Sequence, residues 1–173
     1  MITVLETGVL NSVQDAGRFG YRHLGVSTSG VMDPVALRCG NALLGNAPDA
    51  ACVEVQTFPF KVRFDKDVSL VVTGGQGVLT MGGRKILPWT VVTARMGDVL
   101  TLERPVIGAR MYLCVYGGID VPVVLGSRST QLRGGFGGYL GRPLEVDDEI
   151  AGTGGCVPDG FGAIPPSEGL VGA

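Results

Sequence analysis

The chain has 173 residues, 45% of them hydrophobic and only 17% charged, so it can bury a sizeable core and is not a disordered polymer. Fourteen Lys and Arg against 16 Asp and Glu give a formal net charge of −2, without the basic face that nucleic-acid binding needs. No apolar run approaches the roughly 18 residues that span a bilayer, and the N-terminus has neither a basic start nor a long apolar stretch, so a soluble, cytoplasmic protein is expected.

Short apolar segments rich in β-branched residues, separated by glycine turns, dominate the chain. They predict strands over residues 2–5, 9–13, 51–57, 60–64, 68–73, 78–81, 89–94, 99–103 and 109–116. Several alternate with period two: in 61–64, Val62 and Phe64 fall on one face and Lys61 and Arg63 on the other. The class is mainly β, a sandwich or barrel with one or two short helices, because no long helices alternate with the strands. One helix is clear. Asp33 is a good N-cap, Pro34 fits the first helical position, and Gly45-Asn46 ends it. Ala36, Cys39, Leu43 and Leu44 would share its apolar face. A second short turn or helix is expected over 121–125. Residues 1–152 form the domain, and the Gly- and Pro-rich stretch 153–173 reads as a linker or flexible tail.

The four cysteines form no Cys-x-x-Cys pair and there is one histidine, so no metal site is expected. Cys39, Cys52 and Cys114 read as reduced core thiols. Three polar or glycine-rich segments remain as places for chemistry. Residues 13–25 gather Gln14, Asp15, Arg18, Tyr21, Arg22 and His23. Arg18 could recognise a carboxylate or phosphate, and His23 could serve as a general base. Alternatively, Asp15 and Arg18 tie down a long loop and His23 is structural. In residues 27–33, Ser29 lacks a nucleophile-elbow setting and suits ligand binding beside the helix start better than attack on a carbonyl. Residues 117–138 hold Asp120, Arg128 and Arg133 among glycines, either as plain turns or as a polar cleft with an anion-binding nest facing an anionic ligand. This segment is neither a Walker A loop nor a dinucleotide fingerprint.

These segments carry a resemblance. Residues 13–26, Ser29-Gly30-Val31-Met32-Asp33, Asn41-Ala42-Leu43-Leu44-Gly45-Asn46, Gly117-Gly118-Ile119-Asp120-Val121-Pro122, Leu125-Gly126-Ser127-Arg128-Ser129-Thr130 and Gly134-Gly135-Phe136-Gly137-Gly138 follow one another as in the biotin-dependent carboxyltransferase family. Its members include allophanate hydrolase subunit 2, KipA and the C component of 5-oxoprolinase. Ala16, Phe19 and Tyr116 depart mildly from its pattern. The resemblance implies a cyclophilin-like β-barrel and a KipI-like partner, the B component of 5-oxoprolinase. It implies action on small amides or lactams, with ATP or biotin used by the wider complex and no cofactor bound by this chain. It also implies a second barrel-like half, whose absence would leave the chain inactive alone and prone to associate with itself. A regulatory KipA-like role and a urea-carboxylase role are the alternatives. Arg18, His23, Ser29, Asp120, Arg128 and Arg133 are the candidate substrate-binding residues.

Overall fold

The computed structural model describes residues 1–152, 154–160 and 162–163. Strands β1 (Ile2–Glu6), β2 (Ser12–Gln14), β3 (Cys52–Val55), β4 (Phe60–Phe64), β5 (Val68–Gln76), β6 (Leu79–Met81), β7 (Arg84–Ile86), β8 (Val92–Ala94), β9 (Val99–Leu102), β10 (Ile107–Val115), β11 (Ile119–Asp120) and β12 (Glu149–Gly152) account for most of the regular structure. They form two sheets, of order β11-β12-β1-β4-β9-β6-β7 and β2-β3-β10-β5-β8, which pack around one core without closing into a continuous ladder. The expected mainly β class holds. Among the described residues, one α-helix, α1 (Pro34–Leu44), and one 3-10 turn, η1 (Arg22–Leu24), complete it. Strands β7, β11 and β12 escaped the sequence reading because they are short and carry exposed polar residues. At 121–125 there is no helix: Val124 and Ser127 bridge across a tight turn whose central residues, Leu125 and Gly126, have positive φ.

Period-two alternation in the five-stranded sheet feeds two cores. Leu70 and Val72 of β5, Val53 and Val55 of β3, and Met111, Leu113 and Val115 of β10 enter the core between the sheets. Val71, Cys52, Tyr112 and Cys114 point the other way, into a second cluster with Ala36, Leu37 and Leu44 of α1. The helix starts as expected: Asp33 Oδ1 accepts from the Val35 and Ala36 N–H groups, and Gly45 closes the helix in the left-handed region. Its buried face is Ala36, Leu37, Gly40, Asn41 and Leu44, so Cys39 and Leu43 sit at the margin instead of at the centre. Gly40 and Asn41 are invisible to an apolar-periodicity reading. A Cβ at Gly40 would lie 2.7 Å from Cys114 Sγ, and Asn41 Nδ2 donates to the Ala50 carbonyl at 2.9 Å. All four cysteines are free: Cys52 and Cys114 are buried, Cys39 is half-buried and Cys156 is exposed. Burial, and then the adjacent Cys114, push the Cys52 thiol up.

Residues past 152 are more engaged than a linker reading implies. Gly155 bridges Val68, Val157 N–H donates to Ser69 Oγ, Gly160 N–H to Val91 O, and Ala163 N–H to Trp89 O. Val157 and Ala163 pack on the second cluster. The remainder of the expected tail, 164–173, lies outside the described residues. Among the described residues no helix is long and apolar enough to cross a membrane.

The loop before β12 is locked by an ion pair. Arg142 Nη1 and Nη2 donate to the two oxygens of Asp148, each at 2.8 Å, and Glu145 N–H donates to the same carboxylate. The loop is then paired to β1 through Val4 N–H to Asp148 O and Asp147 N–H to Val4 O. Burial alone would raise the Asp148 pKa, but the Arg142 bonds and the Glu145 N–H outweigh it and hold the carboxyl below its usual value. That stabilisation is complete above the unfolded value of about 3.9 and is lost as pH falls through the folded one. Asp148→Asn is expected to cost about 2 kcal/mol at neutral pH, with the gap to wild type shrinking below about pH 4, as read by denaturant titrations across the acid range.

Candidate functional site

The loops flagged in the sequence converge on one carboxylate. Asp15, directly after β2, is 8% exposed. Its Oδ1 accepts from Gly17 N–H, Ser127 Oγ and Ser129 Oγ, and its Oδ2 from Arg128 N–H. A buried carboxylate is tolerable only when so saturated. Asp15 therefore ties residues 15–18 to residues 127–130. Arg18 completes the tie. It is 1% exposed, donates from Nε to Val124 O and from Nη2 to Ser129 O, both at 2.9 Å, and lies 4.9 Å from the Phe136 ring centroid. Its Nη1 is buried without a hydrogen-bond partner. Of the two readings of Asp15 and Arg18, the loop tie is the one the geometry carries.

The other candidates are dispersed. Asp120 and Arg128 approach each other, Oδ1 to Nη2 at 3.7 Å, in a cavity of about 220 Å³ that Asp15 and Ser127 also line. Arg128 Nε donates to Val121 O, and both side chains are substantially exposed. His23 is exposed in a separate depression with Phe19, Gly20, Arg22 and Thr28, whose lining holds no carboxylate to orient an imidazole. Ser29 is half-buried with φ 55° and lines no described cavity. Arg133 is exposed on the 131–138 loop. The nest expected there is partly closed, because Gly134 N–H donates to Gln131 Oε1 and Gly135 N–H to Gln131 O.

A second place joins Met32 and Asp33 to residues that the sequence reading did not single out. In the β5–β10 pair, Ile107 faces Gln76 and Met111 faces Gly74, so residues 108–110 arch over the single residue Gly75. The bulge requires glycine. Gly74 has φ +86°, and a Cβ on it would lie 2.6 Å from Arg110 O. The arch opens a cleft of about 420 Å³ lined by Met32, Asp33, Gly74–Gln76, Trp89, Arg110 and Tyr112, among others. Behind it lies Glu54, cross-strand partner of Tyr112 and 7% exposed. Glu54 Oε2 accepts from Met32 N–H at 2.7 Å, its Oε1 is 3.6 Å from Arg110 Nε, and Tyr112 Oη accepts from Asp33 N–H at 3.0 Å. Burial, and then the Glu54 charge, hold the Tyr112 phenol well above its usual range, so it stays protonated. Arg110 Nη2 donates to Gln56 Oε1, while its Nε is buried with no hydrogen-bond partner. Two signals were present in the sequence: a lone Glu in the apolar strand Cys52–Val55, and a Gly-Gly pair inside a strand run.

The family model for the carboxyltransferase domain, subdomain A and B, matches residues 24–155. This chain belongs to that carboxyltransferase-domain family. Within it, the chain is 38% identical over 150 residues to the C component of 5-oxoprolinase from Haemophilus influenzae and from Escherichia coli, covering 87% of this chain and 48% of each relative. It is 36% identical over 150 residues to the urea amidolyase of Saccharomyces cerevisiae, covering 86% of this chain and 8% of that one. The crystal structure of the K. lactis urea amidolyase superposes with a TM-score of 0.84 at 34% identity, over 93% of this chain and 10% of that one. The chain thus spans about half the length of the 5-oxoprolinase relatives.

The carboxyltransferase-domain motifs split in two. Those around Asp15 and Arg128 build the scaffold, and only the Met32-Asp33 end of the 29–33 motif reaches the cleft. Asp15→Ala is expected to destabilise the fold by about 3 kcal/mol, because it leaves several buried donors unpaired. Arg128→Ala and Arg133→Ala should each cost about 1 kcal/mol or less. Denaturant melts of the three variants check the ranking.

Proposed function

We propose that this chain is the carboxyltransferase-type part of an enzyme acting on a small amide or lactam, in the manner of the C component of 5-oxoprolinase. The observation that carries the reading is the 38% identity to two proteins of that name across 87% of the chain. The rest of such a machine, a KipI-like partner equivalent to the B component and any ATP- or biotin-dependent step, belongs to the wider cytoplasmic complex. We assign no residue of this chain to holding ATP or biotin. The chemistry left to the chain is polarisation of an amide carbonyl by an arginine and fixed hydrogen-bond donors, which act most strongly where water is excluded. The urea amidolyase and urea carboxylase relatives support a second reading, carboxyl transfer to urea, through the same carbonyl-polarising chemistry.

The test is to purify the chain alone and with a co-expressed KipI-like partner, and to assay glutamate release from 5-oxoproline with ATP beside urea-dependent ATP turnover. The expected outcome is no turnover by the chain alone and glutamate release by the complex. Turnover with urea only would favour the second reading. No turnover of either substrate by a stable complex would count for the regulatory, KipA-like role.

A further inference from the structure

The cleft at the β5–β10 bulge has the chemistry of a binding site. Its lining is largely apolar, from Met32, Trp89, Ile107, Ala109 and Tyr112, with Arg110, Asp33 and Gln76 as its polar side chains. The Arg110 charge is answered from behind by Glu54, which cannot turn away because its Oε2 is fixed on Met32 N–H. Asp33 uses Oδ1 for both bonds to the helix start, so Oδ2 is the oxygen to accept a ligand N–H. With Glu54 counted, the charges at the cleft sum to a small excess of negative charge, which disfavours a carboxylate ligand. A cation would be opposed by Arg110 at close range. A neutral group that carries a carbonyl and an N–H together satisfies both sides. Arg110 Nε, buried 3.6 Å from Glu54 Oε1, makes no hydrogen bond, so this guanidinium is short of acceptors.

We infer that this cleft is the amide-recognising site of the chain, with Arg110 donating to the ligand carbonyl, Asp33 accepting its N–H, and Glu54 as the positioning residue that holds Arg110. The assignment rests on the amide reading above for its ligand class, while its location rests on the cleft alone. No covalent step is involved. The bulge keeps the wall free of side chains at Gly74, Gly75 and Gly108, so a flat, compact ligand can lie against backbone. The site lies outside the Asp15–Arg128 region, and Met32 and Asp33 are its link to the 29–33 motif.

The chain carries its own reporter, because Trp89 is its single tryptophan, lines the cleft and donates its indole N–H to Gly74 O at 3.2 Å. The experiment titrates the purified full chain with butyrolactam, N-methylbutyrolactam and acetate, following the indole N–H resonance. Butyrolactam is expected to shift that resonance saturably. N-methylation, Arg110→Ala or Asp33→Asn, which keeps a capping oxygen, should each weaken binding by roughly tenfold, the cost of one hydrogen bond to a charged group. Arg110→Lys and Glu54→Gln test the same contacts should Arg110→Ala not fold, and each should weaken binding measurably while the melting transition persists. The inference is overturned if butyrolactam leaves the indole unmoved, if the N-methyl compound binds equally well, if acetate binds more tightly, or if the Arg110 variants bind like wild type. Because binding is read without turnover, an inactive complex that still binds butyrolactam would defeat the proposed function and leave the site standing. An active complex whose cleft variants retain full turnover would do the reverse.

Discussion

Four successive backbone N–H groups hold the molecule's functional half in place. Gly30 donates to Gln14 Oε1, Val31 to Asp15 O, Met32 to Glu54 Oε2 and Asp33 to Tyr112 Oη. The first two anchor the segment to the loop hub around Asp15, and the last two anchor it to the sheet wall of the cleft. An extended segment crossing a protein surface leaves its N–H groups needing partners. Here each finds one, two at the end of β2 and one each on β3 and β10, so the segment has a single register. The crossing is also tight. A Cβ on Gly30 would lie 2.8 Å from Gly17 Cα, and its φ of +87° favours glycine independently. The same segment ends on Asp33, the N-cap, so the position of α1 against the second cluster follows from it.

Seen from the sheet, the constraint is the alternation of β3, β5 and β10. One face of each strand supplies the core between the sheets, and the other supplies the second cluster and the cleft. Tyr112 and Glu54 are cross-strand neighbours on that second face. A glutamate in the middle of an apolar strand would normally face water. The 30–33 segment covers this one, and the covering segment itself provides the N–H that makes burial tolerable. Burial of Glu54 then allows Arg110 to stand at the cleft without a large uncompensated charge. The bulge completes the arrangement by interrupting the β5–β10 ladder at the point where Arg110 must lean over the sheet.

Much of the fold was legible because alternation, capping and turn chemistry are local. The Asp33-Pro34 start and the Gly45 end of α1 are fixed by side-chain oxygen, ring geometry and left-handed backbone within a few residues. The site was less legible because it depends on what covers what. Polar residues clustered in sequence drew attention to Asp15, Arg18, Arg128 and Arg133, yet Asp15 and Arg18 are buried ties and Arg133 is exposed on its loop. Glu54 is far in the chain from Arg110 and Tyr112, and only strand pairing brings it to them. His23 and Ser29 looked chemical by residue type. His23 faces no carboxylate in its depression, and Ser29 is absent from the linings of that depression and of the cleft.

The division of labour has a physical reason. A binding loop must be stiff if it is to present donors without paying their ordering entropy on each encounter. Stiffness in a glycine-rich loop cannot come from its own side chains. The chain supplies it from a buried carboxylate and a buried guanidinium, groups that take several directional bonds each and are costly to leave unsatisfied. Asp15 and Arg18 together fix Gly17, Val124, Arg128 and Ser129, and through Gln14 and Asp15 the effect reaches Gly30 and Val31. The polar residues that dominate the sequence motifs thus act on the cleft at one remove. They set where Met32 and Asp33 stand, and Asp33 together with Arg110 on the sheet carries the recognition.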